Sequence, residues 1–336
     1  MHDLPLITIT MGDPSGIGPE IILKALLRNE AYQVCRPLVL GDINVLRMVS
    51  KNLGPISFNT IKSPSEVARK PELVDVISVS NLKEGSYIPG RPTVHSGKAM
   101  VDYIKEAVNL NKDGQVSAMV TCPINKELMH KAGYRFDGHT ELLASLTNTK
   151  NYSMMLASER LRVSLVTIHC ALSEVPQRLN KGLILRTIKL TCRSLEKDFA
   201  IKKPYVAVAG LNPHAGEAGL FGTEDEQIIQ PAVDEAKRDG LLVDGPFPAD
   251  TIFYHASNGN FDAVVAMYHD QGLIPVKLLN FSDSVNITLG LPIVRTSVDH
   301  GTAYDIAGKG VANPSSLIAA IEMAAEIAST RREVQG

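Results

Sequence analysis

FDAVVAMYHDQG, residues 261–272, sets an unbroken apolar run, Ala263 to Met267, one residue short of a histidine, His269. Runs of Val, Ala and Ile without clean alternation suit strands covered on both faces, as in a parallel sheet flanked by helices. Two earlier stretches repeat the pattern: LRVSLVTIHC (161–170) closes on His169, and PYVAVAGLNPHAG (204–216) on His214. In such sheets ligands bind beyond the carboxyl ends of the strands. Three imidazoles at that address can converge on one divalent metal and leave positions open for substrate. For any one histidine, a hydrogen-bonded loop role competes. Recurrence at one structural address favours the metal, and with it an enzyme.

Outward from these runs the chain alternates strand-like and helix-like segments, which predicts an α/β fold with a mostly parallel sheet. Leu6 to Thr10 reads as a strand, followed by the turn MGDPSGIG and a helix opened by Pro19. RPLVLGD and VSAMVT read as strands; DINVLRMVSKNLG and HSGKAMVDYIKEAVNLNKDG read as helices. Residues 55–92 are broken by Pro, Gly and Ser and predict short or irregular structure. NKELMHKAG predicts a helix capped by Asn125 and ended by Gly133. Thr140 is a candidate N-cap, with His139 just before it. Thr223 and Glu226 have capping-box spacing ahead of a helix that Pro231 kinks or interrupts. PSSLIAAIEMAAEIASTRREV predicts the last helix. No linker is visible, so the chain is expected to leave one domain, build a second and return, with a cleft where sites form.

The 336 residues suffice for two α/β domains or one large one. A formal net charge of −2 gives no basis for nucleic acid or an anionic membrane as partner. Residues 1–16 lack the basic and apolar regions of a secretory leader. No apolar stretch reaches membrane-spanning length. Cys35, Cys122, Cys170 and Cys192 are widely spaced, which predicts reduced thiols in a cytoplasmic protein.

Four further stretches carry chemistry. Val298 to Ser316, VDHGTAYDIAGKGVANPSS, has Gly301, Gly308 and Gly310 around Asp305. A carboxylate there can accept from ribose hydroxyls and would repel a 2′-phosphate, favouring NAD; a glycine-rich surface loop with a solvated aspartate is the competing reading. Lys277, Asn286 and Arg295 recur at intervals of nine within segments suited to burial. Buried cations are costly without an anion, so they predict a pocket for a phosphorylated or carboxylated substrate. Ion pairs with Asp283 or Asp299 are the alternative. Donors at the helix start around His139 and Thr140 suit an anion as well. Asp250, between Pro248 and a strand-like run, is a candidate for proton transfer, or a turn aspartate. GDPSGIGPE (12–20) only superficially follows a dinucleotide fingerprint, since its glycines miss the spacing.

Together, TMGDPSGIGPE, TCPINK, GHTELLA, LNPHAGEAGLFGTEDE, GPFPADTIF, AMYHDQGLIPVK and VNITLGLPIVRTSVDHGTAYDIAGKG resemble the 4-hydroxythreonine-4-phosphate dehydrogenase (PdxA) family nearly end to end. The resemblance implies two α/β/α domains around a cleft, like isocitrate and isopropylmalate dehydrogenases. It divides the chain into 1–137 plus 285–336, with the NAD loop, and 138–284, with the metal ligands and dimer interface. It places His300, Gly301, Ala303, Asp305 and Asn313 around NAD, and His169, His214 and His269 on the metal. Zinc comes first there, with magnesium or cobalt as alternatives. His139, Thr140, Lys277, Asn286 and Arg295 fall on substrate contacts, with Asp250 and Lys277 the candidate catalytic groups. Family members are homodimers whose metal site draws histidines from both subunits. They oxidise a secondary alcohol with NAD and then lose carboxylate from the β-keto acid. Enzymes of the vitamin pathway carry TGPVHK where this chain has TCPINK, and TPGEP where it has TMGDP. Relatives with patterns like this one act on D-threonate or D-erythronate 4-phosphate, and more distant ones on dihydrodiols of aromatic acids.

Two other classes remain at this stage. A zinc-dependent hydrolase also uses histidines and a carboxylate, but needs no adenosine loop. A sugar-phosphate sensor without catalysis would have no use for the full histidine set.

Overall fold

The computed structural model describes residues 4–335 apart from 69, 72, 84, 281 and 282. The chain forms two units, Met1–Thr149 with Leu291–Ser329, and Lys150–Gly290 with Thr330–Gly336.

The first unit opens with β1 (Leu6–Thr10), α1 (Gly18–Leu26), α2 (Glu30–Val34), β2 (Arg36–Gly41) and α3 (Ile43–Ser50). It continues with β3 (Ser57–Ile61), β4 (Leu73–Ser78), α4 (Val94–Lys112), β5 (Ala118–Thr121), α5 (Lys126–Lys131) and α6 (His139–Leu146). The second unit holds β6 (Ser153–Ala157), β7 (Arg162–Leu165), α7 (Val175–Arg178), α8 (Lys181–Asp198), β8 (Tyr205–Ala209) and α9 (Gln230–Arg238). It closes with β9 (Leu242–Phe247), α10 (Ala249–Ser257), β10 (Ala263–Ala266), α11 (His269–Leu279) and β11 (Val285–Leu289). The chain then returns through β12 (Arg295–Ser297) to α12 (Ser315–Gln335).

In the first unit the strands run β3-β4-β2-β1-β5-β12, every pairing parallel. In the second they run β11-β6-β7-β10-β8-β9, where β6 alone is antiparallel to both neighbours. The expectation of an α/β fold is met. β1, LITIT, is buried along its whole length, as a strand covered on both faces must be. Helix starts follow local chemistry: the Asp42 carboxylate accepts from the Asn44 and Val45 amides, and the Asn125 side chain from the Leu128 amide.

Alternation along β8 and β10 divides the second unit's interior in two. Val206, Val208, Ala263 and Val265 face Ile184, Ile188 and Val233 of α8 and α9. Ala207, Ala209, Val264 and Ala266 face Ile252, Phe253, Leu273 and Val276 of α10 and α11. The alanines on this second face leave room for close helix approach. Gly272 uses it: a Cβ there would lie 2.7 Å from Leu165 Cδ2 and 2.8 Å from Val163 Cγ1. The start of α11, and so His269, is held tight against β7.

Several local expectations are corrected. Asp250 does not precede a strand: it lies in the first turn of α10, because Ile252, Phe253 and Ala256 bury at helical spacing and override the β-branched residues. His139 is itself the first residue of α6, flanked by Gly138, and Thr140 is not a cap. Thr223 and Glu226 form no capping box. A single π turn, Asp225–Ile229, runs straight into α9 just before Pro231, so the expected interruption of the helix near that proline is present. The two compact units divide after residues 149 and 290. α6 stays with the first unit because Leu142 and Leu143 join the core of Met100, Ile104 and Met129. β11 belongs to the second because it pairs with β6.

Candidate functional site

Arg295 opens β12, next to β5 in the first unit. It is 3% exposed, and its Nη2 and Nε donate to Thr121 Oγ1 at 2.8 and 3.2 Å. Burial pushes its pKa from 12.5 down to about 9, and the charge of Glu141 partly restores it. His139 lies within reach of its field. Burial, then the Arg295 and Lys126 charges, hold the imidazole well below its usual pKa, so it is neutral at pH 7. Its Nε2 is buried without a hydrogen-bond partner. A guanidinium, an ammonium and an imidazole nitrogen therefore share one corner at the start of α6 with the Glu141 carboxylate. Thr140 follows in the same turn. Lys126 and Glu141 were missed by sequence reasoning, although Lys126 ends the TCPINK motif.

The loop from Val298 to Pro314 presents His300, Gly301, Asp305 and Asn313 to solvent, with Ala303 half-buried at φ +43°. Asn313 Oδ1 accepts from the Ser315 amide and hydroxyl and so caps α12.

In the second unit the three histidines follow the carboxyl ends of three adjacent parallel strands, in the order β7-β10-β8. His169 and His269 come together, ring centroids 5.7 Å apart. His269 Nδ1 lies 2.7 Å from Asp270 Oδ1. A carboxylate in that place favours the tautomer with the proton on Nδ1 and leaves the Nε2 lone pair open. His214 packs against Phe221 instead, centroids 6.0 Å apart. Among the described residues of one chain, no three His, Cys, Asp or Glu side chains group closely enough to hold a metal.

The His214 loop is unusual in its backbone. His214, Ala215, Glu217 and Ala218 all take positive φ, at about 1 kcal/mol or more apiece. Asp225, 1% exposed, holds the loop base: its carboxylate accepts from the Leu211 amide at 2.7 Å, the Asn212 amide at 3.1 Å and Asn212 Nδ2 at 2.8 Å. This cluster left no sequence signal beyond the capping-box spacing that was misread.

Asp250 and Asp270 line a groove of about 520 Å³ between α10 and α11, with Phe253, Tyr254, Ile274 and Leu278. Lys277 is half-buried on α11. Asn286, on β11, donates to Met154 Sδ at 3.2 Å, while its Oδ1 is buried without a partner. No helix among the described residues is long and apolar enough to cross a membrane.

An all-parallel unit with a cationic corner and a mixed-strand unit with a histidine pair define an α/β enzyme. Residues 33–324 match the family model for the pyridoxal phosphate biosynthetic protein PdxA, and the chain belongs to that family. It is 55% identical over 96% of its length, and 95% of the relative's, to a 4-hydroxythreonine-4-phosphate dehydrogenase of Desulforapulum autotrophicum. It is 47% identical to a D-threonate 4-phosphate dehydrogenase of Cupriavidus necator, covering 98% of each chain. The crystal structure of 4-hydroxythreonine-4-phosphate dehydrogenase from Klebsiella pneumoniae matches with a TM-score of 0.89 at 43% identity, over 96% of this chain and 99% of that one. The chain is thus an oxidoreductase of the dehydrogenase class, acting on CH–OH.

Proposed function

We propose that this enzyme is a metal-dependent, NAD-linked dehydrogenase of a 4-phosphorylated four-carbon hydroxy acid, which it oxidises and then decarboxylates. The observation that carries the reading is the buried Arg295 beside His139, whose Nε2 lacks a partner. Both relatives' substrates, 4-hydroxythreonine 4-phosphate and D-threonate 4-phosphate, bear the terminal phosphate such a corner would hold. In this reading His139, Thr140, Lys277 and Arg295 bind the anionic ends. Asn286 Oδ1 accepts from a substrate O–H or N–H.

The donor set fits a divalent metal: His169 and His269 face one another, and Asp270 orients His269. With His214 as the third ligand, these residues would hold a metal that would supply Lewis-acid polarisation of the hydroxyl and of the ketone that replaces it. Imidazole ligands favour zinc, with magnesium or cobalt as alternatives. His300, Gly301, Ala303, Asp305 and Asn313 would hold NAD, which would supply the hydride acceptor for the alcohol carbon. Asp250 accepts the hydroxyl proton. The β-keto acid then loses its carboxylate as CO2, and protonation of the remaining carbon gives a three-carbon phosphorylated ketone.

A homodimer with a shared site follows from the same reading. Tyr254, Ile274 and Leu278 are 70%, 64% and 84% exposed beside Asp250 and Asp270, an apolar face suited to a second copy. The four free cysteines accord with a cytoplasmic enzyme.

The test is to supply NAD, zinc or magnesium, and in turn 4-phosphohydroxy-L-threonine, D-threonate 4-phosphate and D-erythronate 4-phosphate. Equal NADH and CO2 from one of the three supports the proposal and names the substrate. NADH without CO2 reduces the enzyme to a simple dehydrogenase. Asp250→Asn should depress kcat while metal content holds.

A further inference from the structure

The segment GDPSGIGPE, residues 12–20, lies between β1 and α1 and has no part in the chemistry above. Its spacing invites comparison with a phosphate-cradling turn, but its amides are already committed. The Asp13 N–H donates to Pro123 O at 2.9 Å, Gly16 N–H to Asp13 O at 3.0 Å, and Ile17 N–H to Thr302 O at 3.0 Å. The Ser15 N–H donates to Asp13 Oδ1 at 2.8 Å. Pro14 has none. No backbone amide from 13 to 17 is left for a phosphate.

What the segment does hold is the loop near the far end of the chain. Asp13 is 1% exposed, and its Oδ2 accepts from the Tyr304 hydroxyl at 2.6 Å. Gly16 lets the loop close in: a Cβ there would stand 2.9 Å from Thr302 O. One turn into α1, Glu20 accepts from the Gly310 amide at 3.2 Å and the Ala312 amide at 2.8 Å. Lys24, on the same helix face, donates to Gly310 O and Ala312 O, both at 2.8 Å, and pairs with Glu20 at 2.9 Å. Two side chains thereby satisfy both the N–H and the C=O of the same two loop residues. His300, Gly301, Asp305 and Asn313, which these contacts do not touch, are exposed.

We propose that Asp13, Glu20 and Lys24 are positioning residues for the cofactor loop, latching Tyr304, Gly310 and Ala312 while the Ile17 amide holds Thr302, so that Asp305 and its exposed neighbours meet the dinucleotide already in shape. This rests on the reading of the loop as the NAD site. Ordering a glycine-rich loop on binding costs entropy, and a loop only partly in its competent shape weakens affinity by that fraction. The latch therefore acts on cofactor affinity and not on the chemical step.

The test compares Tyr304→Phe and Glu20→Gln, each removing polar contacts with little change of shape, with Asp305→Ala and the wild type. The measurements are NADH affinity by its fluorescence, amide exchange over residues 301–312, and separate kcat and KM for NAD. Faster exchange in the loop, with NADH affinity and KM weakened by about 10-fold and kcat within about twofold, is the result expected of both latch variants. Unchanged exchange and affinity in both, or a fall in kcat at unchanged affinity, overturns the proposal. If Asp305→Ala also leaves NADH affinity at the wild-type value, it is the siting of the cofactor that fails; exchange over 301–312 still judges the latch by itself.

Discussion

Replacing Arg295 with methionine separates a binding arginine from a structural one. Burial lowers its pKa from 12.5 to about 9, which places the desolvation cost of the charged form on the order of 5 kcal/mol. Against this stand the hydrogen bonds of the guanidinium, among them two to Thr121 Oγ1, each about 1.5–3 kcal/mol to a charged donor. The two effects oppose one another. Methionine keeps much of the volume, so folding stability should move by less than about 2 kcal/mol. Binding has no such compensation. Loss of a charge-assisted contact to phosphate should lower kcat/KM by roughly 10- to 150-fold. Arg295→Lys should recover only part of it, since an ammonium lacks the planar fork. Urea unfolding and steady-state kinetics on the same preparations provide both readings. A loss of more than about 3 kcal/mol in stability with kcat/KM within twofold would refute the reasoning and make Arg295 a structural cation.

Three further outcomes are expected. His139 is neutral in the folded enzyme, with its pKa held below that of the unfolded chain, so below about pH 6.5 the unfolded state binds the extra proton and stability falls; urea midpoints of wild type and His139→Gln should diverge on acidification, and parallel curves would remove the effect. His169→Ala and His269→Ala should each abolish metal retention, and Asp270→Asn should weaken metal affinity about 10- to 100-fold by releasing His269, as measured by competition with a chelator; stoichiometric metal in the double histidine variant would place the ion elsewhere. Wild type should prefer NAD over NADP in kcat/KM, and Asp305→Ala should narrow the preference; equal use of both cofactors by the wild type would count against the ribose role of Asp305.

The parts of this protein that sequence made legible are those where one local rule dominates. Apolar runs without alternation located β1, β7, β8 and β10, and Asp42 and Asn125 announced their helices by capping chemistry. The histidines fell beyond the strand ends as read. Where tertiary packing outweighs propensity, the reading failed. Thr251 and Ile252 look strand-like, but burial of Ile252, Phe253 and Ala256 winds them into α10. Asp225 spends its carboxylate on amides more than ten residues earlier, a demand no window of sequence displays. Contacts such as Glu20 to Ala312 span nearly the whole chain and leave no mark on composition or periodicity.

The order of strands also imposes a timetable on synthesis. In the first sheet β5 is flanked by β1 on one side and by β12 on the other, and β12 is not made until residues 295–297. At about 5–20 residues per second, the ribosome needs roughly 7–30 seconds to travel from the end of α6 to β12. Throughout that interval β5 is an open edge, with unpaired amides and carbonyls along Ala118 to Thr121 that invite pairing with other nascent chains. The strand that seals this edge also delivers Arg295 to Thr121, so relief from aggregation and assembly of the cationic corner arrive in one event near the end of translation.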